Sequence, residues 1–84
     1  MLSKLPINYY ELAEKFREQQ QWYKSITTYR QTIKLNPTFS WYYYKLGQAL
    51  TQLQNWEETI TAYQQAIKLN PDLLPLLLRR KKCS

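Results

Sequence analysis

Three carboxylates, Glu11, Glu14 and Glu18, stand three and four residues apart, a spacing that puts them on one face of a helix. Grouped carboxylates are what acid–base catalysis or a hard metal ion requires. Lys15 and Arg17 interleave with them, however, and Glu11–Lys15 is a favourable i,i+4 pair. The group therefore reads as a solvated, salt-bridged face. The single cysteine, Cys83, lies in a polar tail with no base beside it, so it lacks the surroundings that activate a thiol. One thiol also cannot close an internal disulfide. Histidine is absent, which removes imidazole acid–base relays and imidazole metal ligands. Gly47 is the only glycine, too few for a phosphate-cradling loop. This inventory predicts a chain that is not an enzyme and uses no metal or cofactor.

Charge offers one further chemistry. The 84 residues carry 12 basic and 6 acidic side chains, a net +6, but Arg79, Arg80, Lys81 and Lys82 supply four of the cations. Without them the balance is 8 to 6, or +2. The body is thus only weakly basic, and RRKK reads as a solubilising tail. Four cations support at most a salt-dependent, sequence-blind contact, so nucleic acid is not an expected partner. The longest purely apolar run, Leu76-Leu77-Leu78, is far below the roughly 20 residues that span a bilayer. The start, MLSKLPINYYEL, has no apolar segment of signal-peptide length. These features predict a soluble, cytoplasmic chain of one domain, 1–84.

The remaining chemistry is aromatic. Residues 40–45 read SWYYYK. On a helix, with about 100° per residue, Trp41, Tyr42, Tyr43 and Tyr44 surround most of the cylinder and cannot share one core. Their roles depend on the elements that carry them, and an internal repeat defines those elements. WYKSITTYRQTIKLNP (22–37) aligns with WEETITAYQQAIKLNP (56–71) at an offset of 34, with ten of sixteen positions identical. Tyr9, Tyr10 and Leu12 match Tyr43, Tyr44 and Leu46 at the same offset. Two copies of one unit, about 6–39 and 40–73, are followed by the beginning of a third.

Each unit reads as two helices. Tyr43, Leu46, Gly47 and Leu50 form an apolar stripe at i, i+3, i+4, i+7. Asn55 is a candidate left-handed helix end. Ile60, Tyr63 and Ile67 then form a second stripe, with Ala66 beside it, ended by Asn70-Pro71. The first unit repeats this with Tyr9, Leu12, Ala13 and Phe16, then Ile26, Tyr29 and Ile33, then Asn36-Pro37. The predicted helices are 7–20, 23–35, 40–54 and 57–69, with a fifth from about 73. Short connections make neighbours antiparallel.

The pattern resembles the tetratricopeptide repeat, W-x2-L-G-x2-Y…A-x3-F…P at 34 residues. The second unit carries it as Tyr43, Leu46, Gly47, Leu50, Thr59, Tyr63 and Pro71. The first carries Tyr9, Leu12, Ala13, Phe16, Ser25, Tyr29 and Pro37. The resemblance implies an all-α fold, antiparallel helical hairpins stacked as a short right-handed solenoid of about five helices. Gly47 and Ala13 fall where the helices of a hairpin approach closely. The family usually has alanine where Ser25, Thr32 and Thr59 stand, and these hydroxyls are expected to bond the carbonyl one turn back.

The resemblance also implies a protein-interaction module that binds a partner peptide in a concave groove lined by the first helix of each hairpin. The groove residues would be Ile7, Tyr10, Glu14, Arg17, Trp41, Tyr44, Gln48 and Gln52, with Glu18 extending an acidic edge. Trp41 and Tyr44 are the expected anchors, since such side chains bury much area and keep a polar tip. Tyr43 belongs to the hairpin core, and Tyr42 and Ala49 to the joint with the preceding hairpin. Some family members grip a C-terminal carboxylate with groove cations, as chaperone-binding repeats do. Here Tyr10, Glu14, Tyr44 and Gln48 stand instead, so that carboxylate clamp is not expected and an apolar or basic segment is.

Two repeats fall short of the three or so that such arrays need. Asp72 can cap a following helix, and Pro75 is tolerated in its first turn. A capping or truncated helix over 74–82, running into the basic tail 79–84, would present Leu74, Leu77 and Leu78. Several exposed leucines favour association. The alternative function is accordingly structural: a self-assembling homo-oligomer, or a segment of a longer array, with no peptide ligand.

Overall fold

The computed structural model describes residues 8–74. Four helices occupy them: α1 (Tyr9–Glu18), α2 (Trp22–Leu35), α3 (Ser40–Gln52) and α4 (Trp56–Leu69). No strand occurs among the described residues. Leu73 and Leu74 are helical; the rest of the expected fifth helix lies outside the described residues. α1 pairs with α2 and α3 with α4, and α2 against α3 joins the two hairpins. No helix among these residues is long and apolar enough to cross a membrane.

The ends of the helices follow local chemistry. Asn8 and Asn55 cap α1 and α4, their side-chain oxygens accepting from Glu11 N–H at 3.1 Å and Glu58 N–H at 3.5 Å. The expected left-handed position at Asn55 falls one residue earlier. Gln20 and Gln54 carry φ of 60° and 59°. Gln20 N–H bonds Arg17 O at 2.9 Å and Gln21 N–H bonds Phe16 O at 2.8 Å. Gln54 to Thr51 O and Asn55 to Leu50 O, at 2.9 and 3.2 Å, repeat the pattern 34 residues on. This is the Schellman closure, which needs its left-handed residue directly after the cap. α1 and α3 consequently stop two residues before their expected ends. α2 and α4 end where Asn36 and Asn70 turn extended ahead of proline.

One core cluster runs through both hairpins: Ala13, Ile26, Tyr29, Leu46, Ala49, Leu50 and Ala62, with Tyr10, Trp22, Ile33 and Leu53 packed against it. A second gathers Tyr44, Ala66 and Leu73, flanked by Trp41, Tyr43 and Tyr63. The close approach expected at Gly47 is present, since a Cβ there would stand 2.5 Å from Tyr63 Cε1. Ala13, its counterpart, is fully buried.

Four expectations for the interior are corrected. Tyr43 is only half-buried, its hydroxyl donating to Pro37 O at 2.9 Å at the edge of the helix pair. Tyr44 is 4 % exposed, covered by Ala66 and Leu73. Ile60 is 55 % exposed, because α4 turns Thr59, Ala62 and Ala66 inward instead. Thr32 and Thr59 do bond the carbonyl one turn back, at 3.0 and 2.8 Å. Ser25 instead reaches across the hairpin, its hydroxyl donating to Ala13 O at 3.0 Å.

Candidate functional site

α1 and α3 bring most of the expected groove residues to one surface, but their roles divide differently. Tyr10 and Trp41 are half-buried and joined directly, Trp41 Nε1–H donating to the Tyr10 hydroxyl at 3.1 Å. The Trp41 and Tyr44 rings lie 4.9 Å apart, centroid to centroid. Tyr44 supports Trp41 from beneath and is too deeply buried to anchor a partner. Tyr42 takes its expected place at the joint, 5.3 Å from the Tyr10 ring and 4.7 Å from the Phe39 ring. The aromatic surface on offer is therefore Tyr10 with Trp41. Ile7 lies outside the described residues.

Glu14 does not form a solvated edge. Its carboxylate accepts from Arg17 Nη2 at 2.9 Å and from the Tyr29 hydroxyl, and pairs with Lys45 Nζ at 3.5 Å. Burial alone would raise its pKa; the hydrogen bonds from Arg17 and Tyr29 and the charge of Lys45 outweigh that and leave it lowered. The Tyr29 hydroxyl is pushed well above its usual range, first by burial and then by its bond to the Glu14 carboxylate. The same carboxylate raises Arg17 through its hydrogen bond. Tyr10 is raised chiefly by burial.

Lys45 links the two halves of the surface. Its ammonium sits 5.5 Å from the Trp41 ring centre while pairing with Glu14. Glu14 is thus one anion paired with two cations, and the part of the α1/α3 surface expected to be acidic carries a net positive charge there. The signal for Lys45 was legible as its i,i+4 spacing from Trp41; its pairing with Glu14, 31 residues away, was not.

Beyond Arg17 the surface sinks into a polar recess of about 240 Å³ lined by Arg17, Trp22, Gln48, Thr51, Gln52 and Tyr63. Gln48 and Gln52, two of the expected groove residues, line this recess. Trp22 and Tyr63, from the second helix of each hairpin, join it at the rear. Leu74 is 44 % exposed; Leu77 and Leu78 lie outside the described residues. Neither Glu11 nor Glu18 joins Glu14, and both are exposed.

Among known families, two models match. One described as a TPR repeat covers residues 13–54, and one described as tetratricopeptide repeat covers 40–73. A comparison with curated proteins gave no match.

Proposed function

The chain belongs to the tetratricopeptide repeat family, whose repeats serve protein–protein interaction, and on that premise we propose that the α1/α3 surface binds an extended, acidic segment of a partner protein. The observation that carries this reading is the neutralisation of Glu14 by Arg17 and Lys45. It leaves one cation in excess, beside the amide donors Gln48 and Gln52. A segment offering carboxylates and backbone carbonyls meets donors there, and an apolar side chain finds the Tyr10–Trp41 platform. A basic segment would face Lys45 and Arg17, which reverses the preference expected from an unpaired Glu14. The reading does not invoke a C-terminal carboxylate clamp, since Tyr10, Glu14, Tyr44 and Gln48 stand where the resemblance would put its cations. Side-chain carboxylates within the segment are the groups recognised.

The test is binding of labelled acidic, neutral and basic peptides, followed by fluorescence anisotropy at low salt. Acidic peptides should bind, and both Lys45→Glu and the pair Gln48→Ala/Gln52→Ala should weaken them with helical circular dichroism unchanged. Preferential binding of basic peptides, or acidic binding indifferent to both variants, refutes the reading.

A further inference from the structure

The repeat places one apolar stripe twice, on α2 as Trp22, Ile26 and Ile33 and on α4 as Trp56, Ile60 and Ile67. On α2 the stripe packs against α3 and its C-cap, with Ile26 only 7 % exposed beside Leu46, Ala49, Leu50 and Leu53. On α4, Trp56 and Ile60 are 56 % and 55 % exposed. We propose that this face of α4 joins two copies of the chain, packed antiparallel about a two-fold axis.

A second copy could cover α4 in two ways, and the sequence discriminates between them. Stacking head to tail would require α1 to play the part of α3. The residues that cover the α2 stripe, Leu46, Ala49, Leu50 and the C-cap Leu53, correspond in the first repeat to Leu12, Lys15, Phe16 and the C-cap Gln19. Lys15 and Gln19 are exposed and polar where Ala49 and Leu53 are apolar, so α1 offers only half of that cover and an open-ended filament is disfavoured. The segment after Leu74 is also a poor cover. In repeat register Arg80, Cys83 and Ser84 stand for Leu46, Ala49 and Leu50, a sequence without the large apolar side chains that cover α2.

α4 against α4 is self-complementary. In an antiparallel pair, Trp56 lies opposite Ile67 of the second copy, and Ile60 sits near the axis. The first turn of α4 holds Glu57 and Glu58, and the last turn Lys68. Antiparallel packing sets the acidic end of each helix beside the basic end of the other; parallel packing would set like charges together.

The experiment is light scattering and sedimentation equilibrium on the full chain across a wide concentration range. The expected mass rises toward twice the 10.3 kDa chain. Ile60→Asp should hold the protein at one chain mass with unchanged helical circular dichroism, and Trp56→Ala should weaken the dimer independently. Glu57→Lys should weaken it several-fold, and Glu57→Lys/Lys68→Glu should recover most of that loss. A wild type that stays at one chain mass throughout, or a dimer that survives Ile60→Asp, overturns the proposal. Failure of the charge exchange to recover association overturns the antiparallel arrangement.

Discussion

The two repeats are the same sentence read in different surroundings. Tyr10 and Tyr29 lie 6.2 Å apart, and their counterparts Tyr44 and Tyr63 5.8 Å, so the ring pair within each hairpin is reproduced. Around it the copies diverge. Tyr10 stays half-open while Tyr44 is closed over by Ala66 and Leu73. Glu14 gathers two cations and a phenol, and Gln48, its counterpart, lines a recess. Ser25 ties the first hairpin together through Ala13 O, whereas Thr59 donates to Asn55 O one turn back. Ile26 is buried on α2, and its counterpart Ile60 lies open on α4. Identical residues thus become core or surface according to what packs against them, and the 34-residue period fixes position without fixing environment.

The widest gap between the copies is also the easiest to break. Ile26→Ala empties a buried site, and such deletions cost about 2–5 kcal/mol. Ile60→Ala removes the same atoms from an open face, where surface substitutions stay within about 0.5 kcal/mol. Urea unfolding at dilute concentration, where association does not contribute, should show Ile26→Ala severely destabilised and Ile60→Ala nearly unchanged. Equal losses would mean that α4 is covered within the single chain.

Glu14 gives the next largest effect. Hydrogen bonds to a charged group stabilise by about 1.5–3 kcal/mol, and 20 % of this side chain remains in solvent, so Glu14→Gln should cost about 1.5 kcal/mol at pH 7. The sign of the pH dependence follows from the lowered pKa. A carboxyl that ionises more readily folded than unfolded adds stability above its ordinary value of 4.5. That contribution disappears as pH falls through the folded value. The stability difference between wild type and Glu14→Gln should therefore be full near neutrality and shrink below about pH 4.5. A difference that is constant down to pH 3 would show that the charge of Glu14 does no work in the first repeat.

These effects mark where sequence reasoning could reach. The period, the hairpin pairing and the Gly47 contact were legible, because repeat spacing and backbone chemistry are local. Helix ends were legible to within about two residues, since the Schellman turns at Gln20 and Gln54 need no glycine to form and left no glycine to read. The division of labour in SWYYYK was less accessible. Adjacent residues on a helix differ by about 100°, but which direction is roofed depends on Leu73, 29 residues beyond Tyr44. Glu14 was misread as solvated for the same reason, its partners Tyr29 and Lys45 lying in other helices. The i,i+3 pair of Glu14 with Arg17 and the cation–aromatic spacing of Lys45 and Trp41 were there to be found in advance.

The smallest effect concerns how closely each hairpin can close. A methyl group at Gly47 would meet three ring atoms of Tyr63 at 2.5, 2.7 and 3.0 Å. Overpacking of this kind costs about 1–3 kcal/mol, while alanine gains up to about 1 kcal/mol of helix propensity over glycine. Gly47→Ala should therefore lose about 1 kcal/mol net, a fall in Tm of roughly 4–8 °C for a domain this small. The first repeat already carries alanine at this position, beside Tyr29, so Ala13→Gly should also destabilise, but through lost propensity and a lost methyl contact. The two mechanisms separate in a double-mutant cycle. Tyr63→Leu removes the ring that obstructs the new methyl, so Gly47→Ala should become neutral or stabilising in that background, a coupling above about 0.5 kcal/mol. Tyr29→Leu should give Ala13→Gly no such rescue, because no clash is being relieved. Equal coupling in both hairpins would place the difference between the repeats outside the Gly47–Tyr63 contact.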